Sequence, residues 1–240
     1  MHSSKSEYLG RTFSTFAKNK RMLKAVLFDM DGVIVDTEPL HRKAYFKMFD
    51  VFGISVSETL YTSFTGQSTI NICKRLCDEF QLPNSPDDLM RTKRKHFKHL
   101  FDTDNTLELL PGVLLLIQHY VANGLTLVLA SSASMNNINS IFERFHLNPY
   151  FEGKISGADL AASKPHPEIF QKAAEMAGCL PEECMVIEDA TNGIKAAKAA
   201  GIYCVAYNSQ HSTSQDYSMA DQTINSFEAI YYDKLTSIFQ

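Results

Sequence analysis

Four short apolar runs, three of them stopping at polar or acidic residues, constrain this chain more than any other feature. Leu23–Phe28 ends at Asp29-Met30-Asp31-Gly32, Leu125–Ala130 at Ser131-Ser132, and Cys184–Ile187 at Glu188-Asp189, while a fourth run spans Ile202–Ala206. Runs this short, with no polar alternation, predict strands buried on both faces. Helical patterns lie between them. Pro111 opens one that Gly124 closes, Ser134 stands where it can cap the next, Pro167 and Gly178 bracket a third, and Gly201 closes an Ala-rich fourth. Strand–helix alternation of this kind predicts an α/β fold, a Rossmann-like parallel sheet with helices on both faces.

The alternation breaks between residues 37 and 107. That stretch holds only amphipathic helical patterns, at His41–Phe52, Ser68–Phe80 and Asp87–Leu100. A small all-helical domain inserted after the first strand is expected there, at 37–107, with the α/β core formed by 22–36 and 108–240. Residues 1–21 read as a basic N-terminal extension outside the fold.

Charge sharpens this division. The formal net charge is −4, yet residues 1–21 hold five basic groups and one acidic group. The insert is nearly balanced, with ten basic and nine acidic residues, whereas the core has eight basic against seventeen acidic. Nucleic acid is therefore an unexpected partner, since phosphate neutralisation needs clustered Lys and Arg. The longest apolar run, Val113–Ile117, is too short to span a membrane. The first 21 residues lack the apolar segment of a secretory signal. The five cysteines are odd in number and form no C-x-x-C pair, and Cys73 and Cys77 fall on one apolar helix face. A reducing, cytoplasmic setting is expected. A monomer is the expected state, with a weak dimer as the alternative.

In an open parallel sheet, ligands bind beyond the carboxyl ends of the strands. Asp29, Asp31, Ser131, Ser132, Lys164, Glu188 and Asp189 should all gather there. Each alone has a plain structural explanation: a D-x-D-G turn, or acids at a helix N-terminus. Several carboxylates at one sheet edge, however, repel one another unless a cation joins them. Carboxylate oxygens suit Mg²⁺ shared with a substrate phosphate. An ionised Asp beside that ion and a Lys can attack phosphorus, and a second Asp two residues on can act as acid and then base. The hydroxyl and the Lys would neutralise the transferring phosphoryl group.

Phe28-Asp29-Met30-Asp31-Gly32-Val33, Ser131, Lys164-Pro165 and Glu188-Asp189 resemble the four ordered motifs of haloacid-dehalogenase-like hydrolases. The second Asp, at position 31, resembles the phosphoryl-transferring members. The helical insert resembles the cap of the subfamily that holds β-phosphoglucomutase and small sugar-phosphate phosphatases. The resemblance implies Asp29 as nucleophile and Asp31 as acid/base, with Ser131 and Lys164 holding the phosphoryl oxygens. Mg²⁺ would be held by Asp29, the Asp31 carbonyl, Asp189 and the neighbouring Glu188. In the cap, it implies substrate contacts from His41, from Lys95 and from the loop of Gly66, Gln67 and Thr69. Asp36 stands as either a hinge carboxylate or a site residue.

Relatives of the mutase type place an Arg where this chain has Thr69. Thr cannot make the paired charged contact a bisphosphate intermediate requires, a loss of about 1.5–3 kcal/mol. The expected activity is therefore Mg²⁺-dependent hydrolysis of a small phosphorylated metabolite, a sugar phosphate by preference, with a phosphosugar mutase as the alternative. A signalling protein that only accepts phosphate on Asp is the minor alternative, disfavoured by Asp31 and by the insert.

Overall fold

The computed structural model describes residues 22–64, 67–208 and 215–239. The expected basic extension at 1–21 lies outside the described residues. Strand β1 (Ala25–Phe28) is followed by four helices, α1 (Glu38–Phe52), α2 (Glu58–Thr62), α3 (Thr69–Glu79) and α4 (Pro86–Thr103). The chain then alternates through α5 (Val113–Ala122), β2 (Thr126–Ser131), α6 (Met135–Arg144), β3 (Gly153–Ser156) and α7 (Glu168–Met176). It closes with β4 (Cys184–Glu188), α8 (Thr191–Ala199), β5 (Tyr203–Tyr207), β6 (Gln222–Ile224) and α9 (Tyr232–Leu235).

The six strands form one parallel sheet in the order β3-β2-β1-β4-β5-β6. Successive side chains of a strand point to opposite faces, and the apolar runs supply both. Val26, Phe28, Leu127, Leu129, Met185, Ile187 and Val205 pack on one face with α5 and α6. Ala25, Leu27, Val128, Ala130, Cys184, Val186 and Cys204 pack on the other with α7 and α8. The chain runs from β1 outward to β3 and then returns to β4 on the other side of β1. The carboxyl ends of β1 and β4 thus flank a crevice where the direction of winding reverses.

Helices α1–α4 have an apolar cluster of their own, built on Tyr45, Met48, Phe49, Tyr61, Phe64, Ile72, Cys73, Leu76 and Leu89. The ends of α1 and α4 nearest the sheet join the core cluster through Leu40, Ala44, Phe97 and Phe101. Ser85 and Asp88 close a reciprocal cap at the start of α4, each satisfying the other's backbone N–H. Ser134 occupies the N-cap position of α6, but its side chain makes no capping bond. Among the described residues the cysteines are unpaired thiols, and no helix is long and apolar enough to cross a membrane.

Candidate active site

The end of β1 is folded back on itself. The N–H groups of Val33, Ile34 and Val35 all donate to the Met30 carbonyl, and Gly32 donates to Val35. Gly32 has φ +83°, and a Cβ there would sit 2.1 Å from the Asp189 carboxylate. Glycine is thus required twice over, by the turn and by the carboxylate lying against it. The tight loop holds Asp29 at the sheet end, with its N–H donating to the Ile187 carbonyl of β4 at 3.0 Å, and keeps Asp31 beside the crevice.

Lys164 is the hub of the site. Its ammonium donates to Asp29 Oδ1 at 2.5 Å, Glu188 Oε1 at 2.7 Å and the Ala130 carbonyl at 3.0 Å, and lies 4.9 Å from the centre of the Phe170 ring. It is only 9% exposed. Burial alone works against its charge, but the Asp29 and Glu188 carboxylates outweigh burial and hold the ammonium protonated, with its pKa raised. Asp29 feels the opposite balance. Burial drives its pKa up, Lys164 pulls it down, and the Glu188 charge pushes it up again.

Glu188 is committed on both oxygens. Oε1 receives Lys164, and Oε2 accepts from the N–H groups of Asp189 and Ala190, both at 2.8 Å. Gly193 gives it room: a Cβ there would lie 1.7 Å from Glu188 Oε1. Ser131 is buried at the end of β2 and accepts from the Ala133 N–H at 3.1 Å, which leaves its own proton free to donate. Asp31 accepts the Thr37 hydroxyl proton, and burial raises its pKa.

These residues line a cavity of about 880 Å³ that the core and the insert share. Ser132, His41, Gln67 and Thr69 all line it, while Gly66 lies outside the described residues. Lys95 does not reach it. Its side is exposed, and the inward lysine is Lys93, which is 4% exposed. Two residues along a helix turn through about 200°, so the two lysines face opposite ways. The apolar face through Leu89, Phe97 and Phe101 carries Lys93 with it.

Lys93 Nζ lies 2.8 Å from His41 Nδ1, over the rings of Tyr45 and Phe97. His41 is itself stacked on Phe97, with centroids 4.3 Å apart. Burial and the Lys93 charge hold the imidazole well below its usual pKa. It is therefore neutral near pH 7, accepting from Lys93 at Nδ1 and carrying its proton on Nε2. Burial pushes Lys93 down to about 8, against the pull of Asp31 and Glu38. Charged residues of the insert also line the cavity. Glu38 accepts from the Tyr61 hydroxyl at 2.9 Å, Arg42 pairs with Glu58 at 2.7 Å, and Arg94 opens into the same space.

The donor set also bears on a metal. Among the described residues no three Asp, Glu, His or Cys side chains converge as a ready-made cage, since Lys164 occupies Asp29 and Glu188. Magnesium needs no such cage: one or two carboxylates, water and a substrate oxygen serve. The Asp189 carboxylate, seated in the space that Gly32 leaves, together with Asp29 and the Asp31 carbonyl, fits that requirement.

Comparison with known proteins agrees with this geometry. The haloacid dehalogenase-like hydrolase family matches residues 23–201. The "Phosphorylated carbohydrates phosphatase" of Thermotoga maritima is 30% identical, over 75% of this chain and 82% of its own. CbbY from Rhodobacter sphaeroides, solved with phosphate, superposes with TM-score 0.78 at 27% identity, covering 86% of this chain and 95% of its own. A β-phosphoglucomutase from Clostridium difficile has the same TM-score at 25% identity, over 91% and 97%. The chain belongs to the haloacid dehalogenase-like hydrolases, in their β-phosphoglucomutase-like subfamily, and is a phosphohydrolase.

Proposed function

We propose that the protein is a Mg²⁺-dependent phosphatase of a small phosphorylated carbohydrate, working through an aspartyl-phosphate on Asp29. The observation that carries this reading is the buried Asp29–Lys164–Glu188 chain, with Asp31 two residues on, under a roof that offers cations. Asp29 Oδ2, the oxygen not engaged by Lys164, attacks phosphorus. Asp31, two residues on and with its pKa raised by burial, serves as the acid that protonates the leaving oxygen and then as the base that takes a proton from the attacking water. Ser131 and Lys164 hold the phosphoryl oxygens, with Lys164 aimed by Glu188 and the Ala130 carbonyl. Mg²⁺, held by Asp29, Asp189 and the Asp31 carbonyl, would supply charge neutralisation between nucleophile and phosphate. The insert serves as a cap. His41, Lys93 and Arg94 meet the leaving group, and closure excludes water.

The phosphatase of Thermotoga, whose name specifies phosphorylated carbohydrates, supports this substrate class. Thr69 in the cavity wall supports hydrolysis over mutase chemistry, since a threonine cannot grip a second phosphate as an arginine does. The deciding experiment is a panel of sugar phosphates assayed with Mg²⁺ and including β-glucose 1-phosphate with its bisphosphate primer. Phosphate release supports the reading. Isomerisation to the 6-phosphate replaces it with the mutase, and no turnover of any kind removes it.

A further inference from the structure

One core residue reaches across to the insert. Arg144 closes α6, and its guanidinium binds three carbonyls of the segment that leaves the insert. Nη1 donates to Phe101 O at 3.0 Å, and Nη2 donates to Asp104 O at 2.5 Å and Leu107 O at 3.4 Å. The same group lies 5.1 Å from the centre of the Phe101 ring and 5.6 Å from that of Phe145. The last turn of α4 contains no basic residue of its own, so its carbonyls take their cation from another element. The segment presented to Arg144 is already shaped. Asp104 Oδ1 accepts from the Thr106 N–H and hydroxyl, both at 2.7 Å, and from the Leu107 N–H at 3.1 Å.

We propose that Arg144 is a positioning residue for catalysis, the anchor that fixes how the insert hangs over Asp29 and Asp31. The connecting segments run side by side, with Leu110 N–H donating to Ile34 O at 2.9 Å and Val35 bridged to Leu109. The inbound segment carries bonds of its own, from the Thr37 hydroxyl to Asp31 and from the Glu38 N–H to Asp36 at 3.1 Å. Arg144 clamps the outbound one, and α4 is the lever it holds. Lys93 precedes Phe101 by eight residues, so it rides about 12 Å along the helix from the anchor. A swing of about 10° at the anchor moves Lys93 by about 2 Å relative to Asp31, and misplacement of this size costs about tenfold or more in rate. Arg144 thus acts on the reaction through the cap side chains and touches no reacting atom.

This inference rests on the cap reading above, and its test separates the two. Arg144→Met and Arg144→Lys are assayed on acetyl phosphate, whose leaving group is too small to engage the cap, and on the sugar phosphate that the wild type hydrolyses fastest. Arg144→Met should lower kcat/KM for the sugar phosphate about tenfold while changing acetyl phosphate hydrolysis by less than about twofold. Arg144→Lys, able to reach fewer of the three carbonyls, should fall between. Equal losses on both substrates, or none on either, overturn the proposal while leaving the phosphatase standing. The anchor is also read without turnover, from a spin-label distance between Lys95→Cys on the insert and Lys172→Cys on the core, with Cys77 and Cys179 replaced by Ser. A broader distance distribution in Arg144→Met supports the anchor even if no substrate is found, and an unchanged one refutes it.

Discussion

Replacing Lys164 with Met tests the electrostatic reading of the site at its centre. The change keeps much of the side-chain volume and removes one buried charge. Three bonds disappear with it, to Asp29 at 2.5 Å, Glu188 at 2.7 Å and Ala130 O at 3.0 Å. Two carboxylates that are 7% and 1% exposed then face each other without a cation. Breaking a buried pair in this way costs about 3–5 kcal/mol, equivalent to a fall in Tm of about 6–20 °C for a chain of this size. The loss must depend on pH. Without Lys164, which pulls it down, the folded-state pKa of Asp29 lies further above its unfolded value. Stability is then retained at low pH, where both states are protonated, and is lost as pH rises and the unfolded chain ionises first. The Tm gap to wild type should therefore be widest near pH 8 and narrow toward pH 4, in buffer without Mg²⁺. Adding Glu188→Gln should restore part of the stability without restoring turnover. A gap of less than about 2 °C at pH 8, or one that does not change with pH, would show that Lys164 does not neutralise this pair.

Other outcomes follow from the same geometry. Asp29→Asn should abolish phosphate release while Mg²⁺ binding, followed by calorimetry, persists; retained turnover would remove Asp29 as nucleophile. Chelation with EDTA should stop turnover, and Mg²⁺ should restore it; activity that survives exhaustive chelation contradicts the metal requirement. With Lys93 at about 8, kcat/KM should fall as pH rises through that value and the ammonium is lost, and Lys93→Met should lack this limb. The same residue makes folding stability rise between about pH 8 and 10.5, where the unfolded chain still holds the proton. Gly193→Ala forces a Cβ to within 1.7 Å of Glu188 Oε1 and should cost about 1–3 kcal/mol in thermal unfolding, with a larger loss of activity because Glu188 aims Lys164.

What could be read in the sequence, and what could not, divides along burial. Strands β1, β2, β4 and β5 are central, covered on both faces, and had to be written in uninterrupted apolar residues. The outer strands β3 and β6 escape such a reading because Gly153-Lys154-Ile155-Ser156 and Gln222-Thr223-Ile224 are short and half-exposed. Helix α2, five residues long, is too brief to show a period. The core side of the site was legible because its acids, Ser131 and Lys164 stand at strand ends, or in a loop with a distinctive neighbour, where topology fixes their direction. The cap side was not, because its chemistry depends on rotation about helix axes. Lys95 and Lys93 differ by two positions in a run of three cations, and only the stripe through Leu89, Phe97 and Phe101 tells them apart. Buried beside His41, Lys93 loses much of its hydration and so carries a charge that titrates near physiological pH, whereas exposed Lys95 does not enter the cavity. The run thus holds one lysine buried against His41 and one exposed to solvent, and the apolar residues around them, more than the charges themselves, decide which is which.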